Sequence, residues 1–187
     1  LVLFHCALVM SFDSIFPVYS RQQLGAADGS ILGYLVMSFG LGSLVGILLL
    51  SGVRGQRTKG HLLVWTALAS GVTPMLLAFS SSVSLAVLAA AGMGASQATF
   101  MALTNTYVQL MAPDRLRARI SSLYTLHAGG IMAFANLGYG FMADLFTAPP
   151  ILITTGVLFL VVMIGLGVAQ PMLWRVYRTG QVVAVQP

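Results

Sequence analysis

Long apolar stretches broken by short polar ones set the layout of this chain. Runs of roughly 20 residues with few charges are long enough to cross a bilayer as helices. Six such runs occur, at 1–19, 30–50, 62–79, 83–111, 119–146 and 150–170. Between them stand turn and polar residues: Gly25 to Ser30, Ser51 to Gly60, the serines 80–82, Ala112 to Arg119 with Pro113, and the pair Pro149 and Pro150. A proline pair cannot continue an incoming helix. The runs lack apolar/polar alternation, and a helix satisfies all of its own backbone hydrogen bonds in lipid. The expected fold is therefore an all-α membrane protein, one compact bundle of six transmembrane helices over residues 1–173. A short tail, 174–187, follows and has no assigned function.

Composition points the same way. The 187 residues include only 9 Lys+Arg and 4 Asp, with 58% hydrophobic residues and no Glu. A soluble domain carries about a quarter charged residues, so a water-exposed globular enzyme and a disordered tail are both excluded. One cysteine and three scattered histidines cannot build a disulfide framework within the chain or most multi-ligand metal sites. No metal and no cofactor is expected.

The basic residues then fix an orientation. One set of alternate loops holds Arg54, Arg57 and Lys59, then Arg115, Arg117 and Arg119, then Arg175 and Arg178; the other holds only Arg21. In short loops basic residues stay cytoplasmic. Both termini are expected in the cytoplasm, in a multi-pass protein of the inner cell membrane. The net charge of +5 reflects this topology rather than a nucleic-acid partner. Leu1 is not an initiator Met, and the first run starts without a basic anchor, so an upstream segment is expected.

Polar residues inside the runs are the candidate chemistry. Cys6, Met10, Asp13 and Pro17 share one helical face. A charged Asp near the bilayer centre costs about 2.5–3.5 kcal/mol, so it lines a wet cavity, pairs, or holds a proton. Asp13 is thus a candidate for translocation and proton coupling, or else a local cap near Pro17. In the fourth run Gly94, Gln97, Met101, Thr104, Asn105 and Val108 form one stripe, and Gly92, Ser96, Thr99, Leu103 and Thr106 another. Gln97, Met101 and Asn105 are candidates for a substrate pathway, because amides hydrogen-bond varied ligands without charge; interhelical hydrogen bonding is the competing role. In the fifth run Gly129, Ala133, Asn136 and Gly140 share a small-residue face, and the second run has Gly42-x-x-x-Gly46; both suit close helix packing. His127 offers a proton relay or a structural hydrogen bond. Asp144 is expected to meet Arg21, unless Arg21 pairs with Asp28. Runs three and six contain no ionisable residue and are expected to face lipid.

Several motifs together carry a family resemblance. They are the Gly-rich second run (Gly33, Gly40, Gly42, Gly46), Gly52-x-Arg54-x-x-Arg57-x-Lys59-Gly60, the segment from Ala112 through Asp114, Arg115, Arg117 and Arg119 to Leu123, and Gly138-x-Gly140-x-x-x-Asp144. With the alternating basic loops they resemble the C-terminal half of a major facilitator superfamily transporter, nearest to bacterial drug and siderophore exporters that work as proton antiporters. Ala118 stands where that pattern usually has Gly, and the loop from Gly52 to Gly60 carries no acid. The resemblance implies two inverted three-helix repeats, a missing N-terminal six-helix half as partner, a small amphipathic substrate, and protons as coupling ions. Arg54, Arg57, Lys59, Asp114, Arg115, Arg117 and Arg119 become a cytoplasmic gate or, alternatively, headgroup anchors.

Other classes fit less well. The chain has no Gly-x-Ser-x-Gly, no His-Glu-x-x-His and no phosphate-binding Gly-x-x-x-x-Gly-Lys-Ser/Thr, so an enzyme is not expected. The remaining alternative is a self-contained six-helix channel or scaffold acting as a homodimer.

Overall fold

The structure, a computed structural model, describes residues 1–12, 14–25 and 29–169. Its elements are α1 (Val2–Leu8), α2 (Ile15–Gln22), α3 (Ser30–Ser51), α4 (Gln56–Ala78), α5 (Val83–Met111), a 3₁₀ turn at Asp114–Leu116, α6 (Arg117–Leu145) and α7 (Ala148–Ala169). The described residues contain no strand. Four helices, α3, α4, α5 and α7, are long and apolar enough to cross a membrane. At 29 residues α6 is also long enough, but His127, Asn136 and Asp144 interrupt its apolar stretch.

The first run departs from expectation. In place of one helix over 1–19, α1 stops after Leu8 and α2 starts at Ile15. Pro17 is the third residue of α2; having no N–H, proline suits the first turn of a new helix better than the interior of a continuous one. The other boundaries lie close to the apolar runs. Ser82 caps α5, its hydroxyl accepting from the Leu85 N–H at 3.4 Å, and Pro149 and Pro150 sit in the first turn of α7.

Small residues set the helix packing. Gly42 and Gly46 of α3 meet Ala91 and Ala95 of α5, and Gly94 of α5 meets Phe39 of α3. A Cβ at Gly46 would fall 2.7 Å from the Ala95 carbonyl oxygen, so the two backbones touch only because no side chain intervenes. Rising numbers meet rising numbers, so α3 and α5 run parallel. Their C-termini, and the basic segments at 54–59 and 115–119 that follow them, therefore share one end of the bundle. α4 and α7 run antiparallel, with Gly71 against Phe159 and Leu160, and Gly156 against the Gly71 carbonyl and Met75.

That glycine contact joins the third and sixth runs, the two expected to face lipid, and both keep exposed apolar residues beside it, Trp65 and Leu76 on α4, Val161 and Ile164 on α7. Of the apolar stretch of α3, 22% lies inside the fold, against 39% for α4 and 39% for α7. Lack of ionisable residues makes a helix compatible with lipid, but the glycine pair buries one stripe of each. α3 and α6 present the broad exposed faces, among them Val36, Leu44, Leu48, Leu126, Phe134 and Leu137.

The apolar core has two parts. One gathers Phe12, Ile15, Phe16 and Tyr19 with Leu35, Leu77, Met93 and Ile151. The other, toward the basic end, gathers Leu63, Phe100, Leu103, Tyr107 and Met163.

Candidate functional site

The interruption between α1 and α2 organises the polar groups of the bundle. Ending a helix inside a packed bundle frees carbonyls from their intrahelical donors, and each needs another partner. Neighbouring helices supply them. The Gln97 amide nitrogen on α5 donates to the Val9 carbonyl at 2.8 Å. The Tyr139 hydroxyl on α6 donates to the Ala7 carbonyl at 2.8 Å and lies 3.3 Å from that of Leu8. The Ser11 hydroxyl turns back to the Cys6 carbonyl at 2.7 Å. Where the chain resumes, the Ser14 hydroxyl donates to the Asn136 carbonyl at 2.9 Å, and the Ser14 N–H approaches Asn136 Oδ1 at 3.4 Å.

From there α2 ties down the far end of the bundle. The Tyr19 hydroxyl donates to the Leu77 carbonyl at 2.8 Å, in the last turn of α4. Gln22 Oε1 accepts from the Ala148 N–H at 3.3 Å, capping the start of α7. Each contact meets a helix end whose backbone groups lack intrahelical partners.

Gln97 therefore holds backbone in this structure. It is fully buried, and its Oε1 has no hydrogen-bond partner among the described residues. Asn105, two turns further along α5, accepts from Gln109 at 3.1 Å. Met101 meets Tyr124 of α6, whose hydroxyl lies 3.7 Å from the sulfur and 3.0 Å from the Thr104 hydroxyl. Gln97, Met101 and Asn105 thus follow one helix, each with a different neighbour. Two clefts open elsewhere. One of 420 Å³ lies among Leu8, Tyr139, Met142, Ile151 and Thr155; the other, of 470 Å³, lies among Leu50, Trp65, Thr73, Gly92 and Thr99.

The remaining candidates are dispersed. Asp13 and Asp28 lie outside the described residues. His127 is exposed on α6 and makes no hydrogen bond among the described residues. Asn136 and Gly140 lie near Ser14, whereas Gly129 and Ala133 are exposed, and nothing stands within 4 Å of a Cβ built on Gly129. The expected approach of Arg21 to Asp144 is not observed: among the described residues the one ion pair is Arg117 to Asp114 at 2.9 Å. Arg117 also donates through Nε to the Gln109 carbonyl at 3.2 Å. The Asp114 side chain is 90% exposed, so the pair is worth about 0–1 kcal/mol. Arg54, Arg57, Arg115 and Arg119 are exposed, and Lys59 is half-buried.

Sequence reasoning passed over Tyr139, Ser14 and His5. A cue to the break was present: Ser11, Asp13 and Ser14 stand within four residues, just before Pro17. Nothing in the sequence marked Tyr139 as the group that meets the freed carbonyls.

Searches among curated proteins and among solved structures found no match. A family model described as transmembrane secretion effector matches residues 2–174, nearly the whole chain. With its apolar helices and the glycine-mediated bundle, the chain belongs to this family of the major facilitator superfamily, a family of multi-pass membrane transporters.

Proposed function

We propose that this chain is the C-terminal half of a proton-coupled exporter that moves a small amphipathic molecule, such as a drug or siderophore, by alternating access. The observation that carries the reading is the interrupted first span. Irregular backbone at membrane depth is tolerated where it is buried in protein or lines a water-filled cavity, and transporters use such breaks at their binding and gating elements. Here the break is held by hydrogen bonds from Gln97 and Tyr139, contacts that can be exchanged without unfolding the long helices. By sequence, Asp13 belongs to the same segment. A carboxyl there gains or loses its proton as solvent access changes, which is what coupling to protons requires.

In this reading the exposed faces of α3 and α6 meet a second six-helix half. Gln97, Met101 and Asn105 lie along the helix that borders the pathway, and the basic segments at one end form the cytoplasmic gate. The test is Asp13→Asn in the reconstituted transporter. Loss of proton-driven export with wild-type expression and thermal stability is expected; unchanged export removes Asp13 from the mechanism. A native mass equal to two copies of this chain, with no further spans, would replace the reading by a homodimeric channel.

A further inference from the structure

His5 stands one turn before the carbonyl that Gln97 holds and is fully buried. Its ring packs on Phe100 of α5, centroids 4.3 Å apart, and meets Phe159 of α7 at 5.3 Å, nearly edge-on. Neither ring nitrogen has a hydrogen-bond partner among the described residues. α1 is therefore pinned at two levels, by an imidazole in an aromatic slot and, one turn on, by Gln97 and Tyr139.

We propose that His5 is a proton-accepting trigger that unlatches α1 from α5 and α7, an inference that rests on the proton-coupled reading above. A neutral imidazole fits the slot as an apolar ring with one unsatisfied N–H. An imidazolium would bring a full charge and two donors into a slot where neither ring nitrogen has an acceptor. Cation–π attraction to Phe100 recovers only part of what an unpaired buried ion costs. The charged ring leaves the slot and carries α1 with it, hinged at the break.

No neighbouring charge offsets this. The ionisable groups on the helices packed against α1 are Tyr107 on α5, and Arg117, Arg119, Tyr124, His127, Tyr139 and Asp144 on α6; α7 has none. α1 itself adds Cys6. None of them hydrogen-bonds the ring among the described residues. The proton balance is simple: the ring lone pair takes one proton from the aqueous side that opens and returns it when α1 docks again, and no other bond is made or broken.

Cys6, next to His5, is the single cysteine of the chain and is fully buried, so it reports docking. The experiment alkylates Cys6 with N-ethylmaleimide in the vesicle-reconstituted transporter between pH 8 and 5.5, read at that residue by mass spectrometry. Each rate is divided by that of the same protein unfolded in SDS at the same pH, which cancels the thiolate fraction. In wild type the normalised rate should climb as pH falls, by up to about tenfold per pH unit for a one-proton opening. In His5→Phe, and in His5→Gln should the first variant fold poorly, it should be independent of pH. A flat wild-type profile, or a rise that survives both substitutions, overturns the proposal. Labelling needs no substrate, so a flat profile beside intact proton-driven export dismisses His5 alone. A His5-dependent rise without such export dismisses the transport reading and leaves the latch.

Discussion

The α3–α5 pair and the α1–α2 segment solve one problem in opposite ways. Both belong to the same bundle, and both must leave no backbone polar group stranded in an apolar medium. In α3 and α5 each helix keeps all its own hydrogen bonds, and Gly42, Gly46 and Gly94 let the backbones touch. In α1–α2 the helix stops, and Gln97, Tyr139 and Asn136 from elsewhere in the chain satisfy or cap what is freed. The first arrangement is a fixed seam, because backbone atoms on both sides leave nothing to rearrange. The second is held by a handful of side-chain contacts that can be traded, which suits the moving part of a transporter.

The contrast is easiest to break at the seam. Gly42→Leu places a branched side chain against the Ala91 backbone, which cannot give way. A loss at or beyond the upper end of the about 1–3 kcal/mol typical of overpacking is expected, seen as a collapsed yield of folded protein and a lowered Tm in detergent. At the break, Gln97→Leu removes the donor to a fully buried carbonyl and should cost about 1–3 kcal/mol, measured by the same thermal shift. Tyr139→Phe keeps the ring but drops the hydroxyl. Its bond is only partly buried, so a loss near the membrane average of about 0.6 kcal/mol is expected. A drop for Tyr139→Phe exceeding that for Gln97→Leu would mean that α6, not α5, anchors the break.

Gly129→Ala should change stability by less than about 0.5 kcal/mol, because the added methyl meets open space. A clear destabilisation of the assembled transporter, absent from this half alone, would instead place that face of α6 against the second half and make it another seam.

These cases also show how far the residue order could be read. Gly42-x-x-x-Gly46 and the Gly129, Ala133, Asn136, Gly140 stripe carry the same signature, yet the first meets α5 and much of the second is exposed. Small residues at helical spacing permit close approach; which neighbour arrives depends on the rotation of each helix in the bundle. Gln97 shows the same limit. A buried amide on a crowded helix was legible as important, but its partner lies 88 positions away on a carbonyl that is free only because the first span breaks. That break was obscured by the apolar residues around Ser11, Asp13 and Ser14, which kept the run hydrophobic as a whole.

What the residue order settles here is the solvent and the coarse layout. Lipid demands long uncharged runs, and those runs mark α3, α5 and α7 within two residues and α4 except for a first turn that carries Arg57 and Lys59; basic residues cluster at alternate turns between the runs. What only the folded bundle decides is which helices touch, where the first span gives way, and what becomes of the polar groups within it. Hydropathy is a local sum along the chain, whereas the partner of a buried carbonyl or imidazole comes from helices far away in sequence, and no local pattern encodes their meeting.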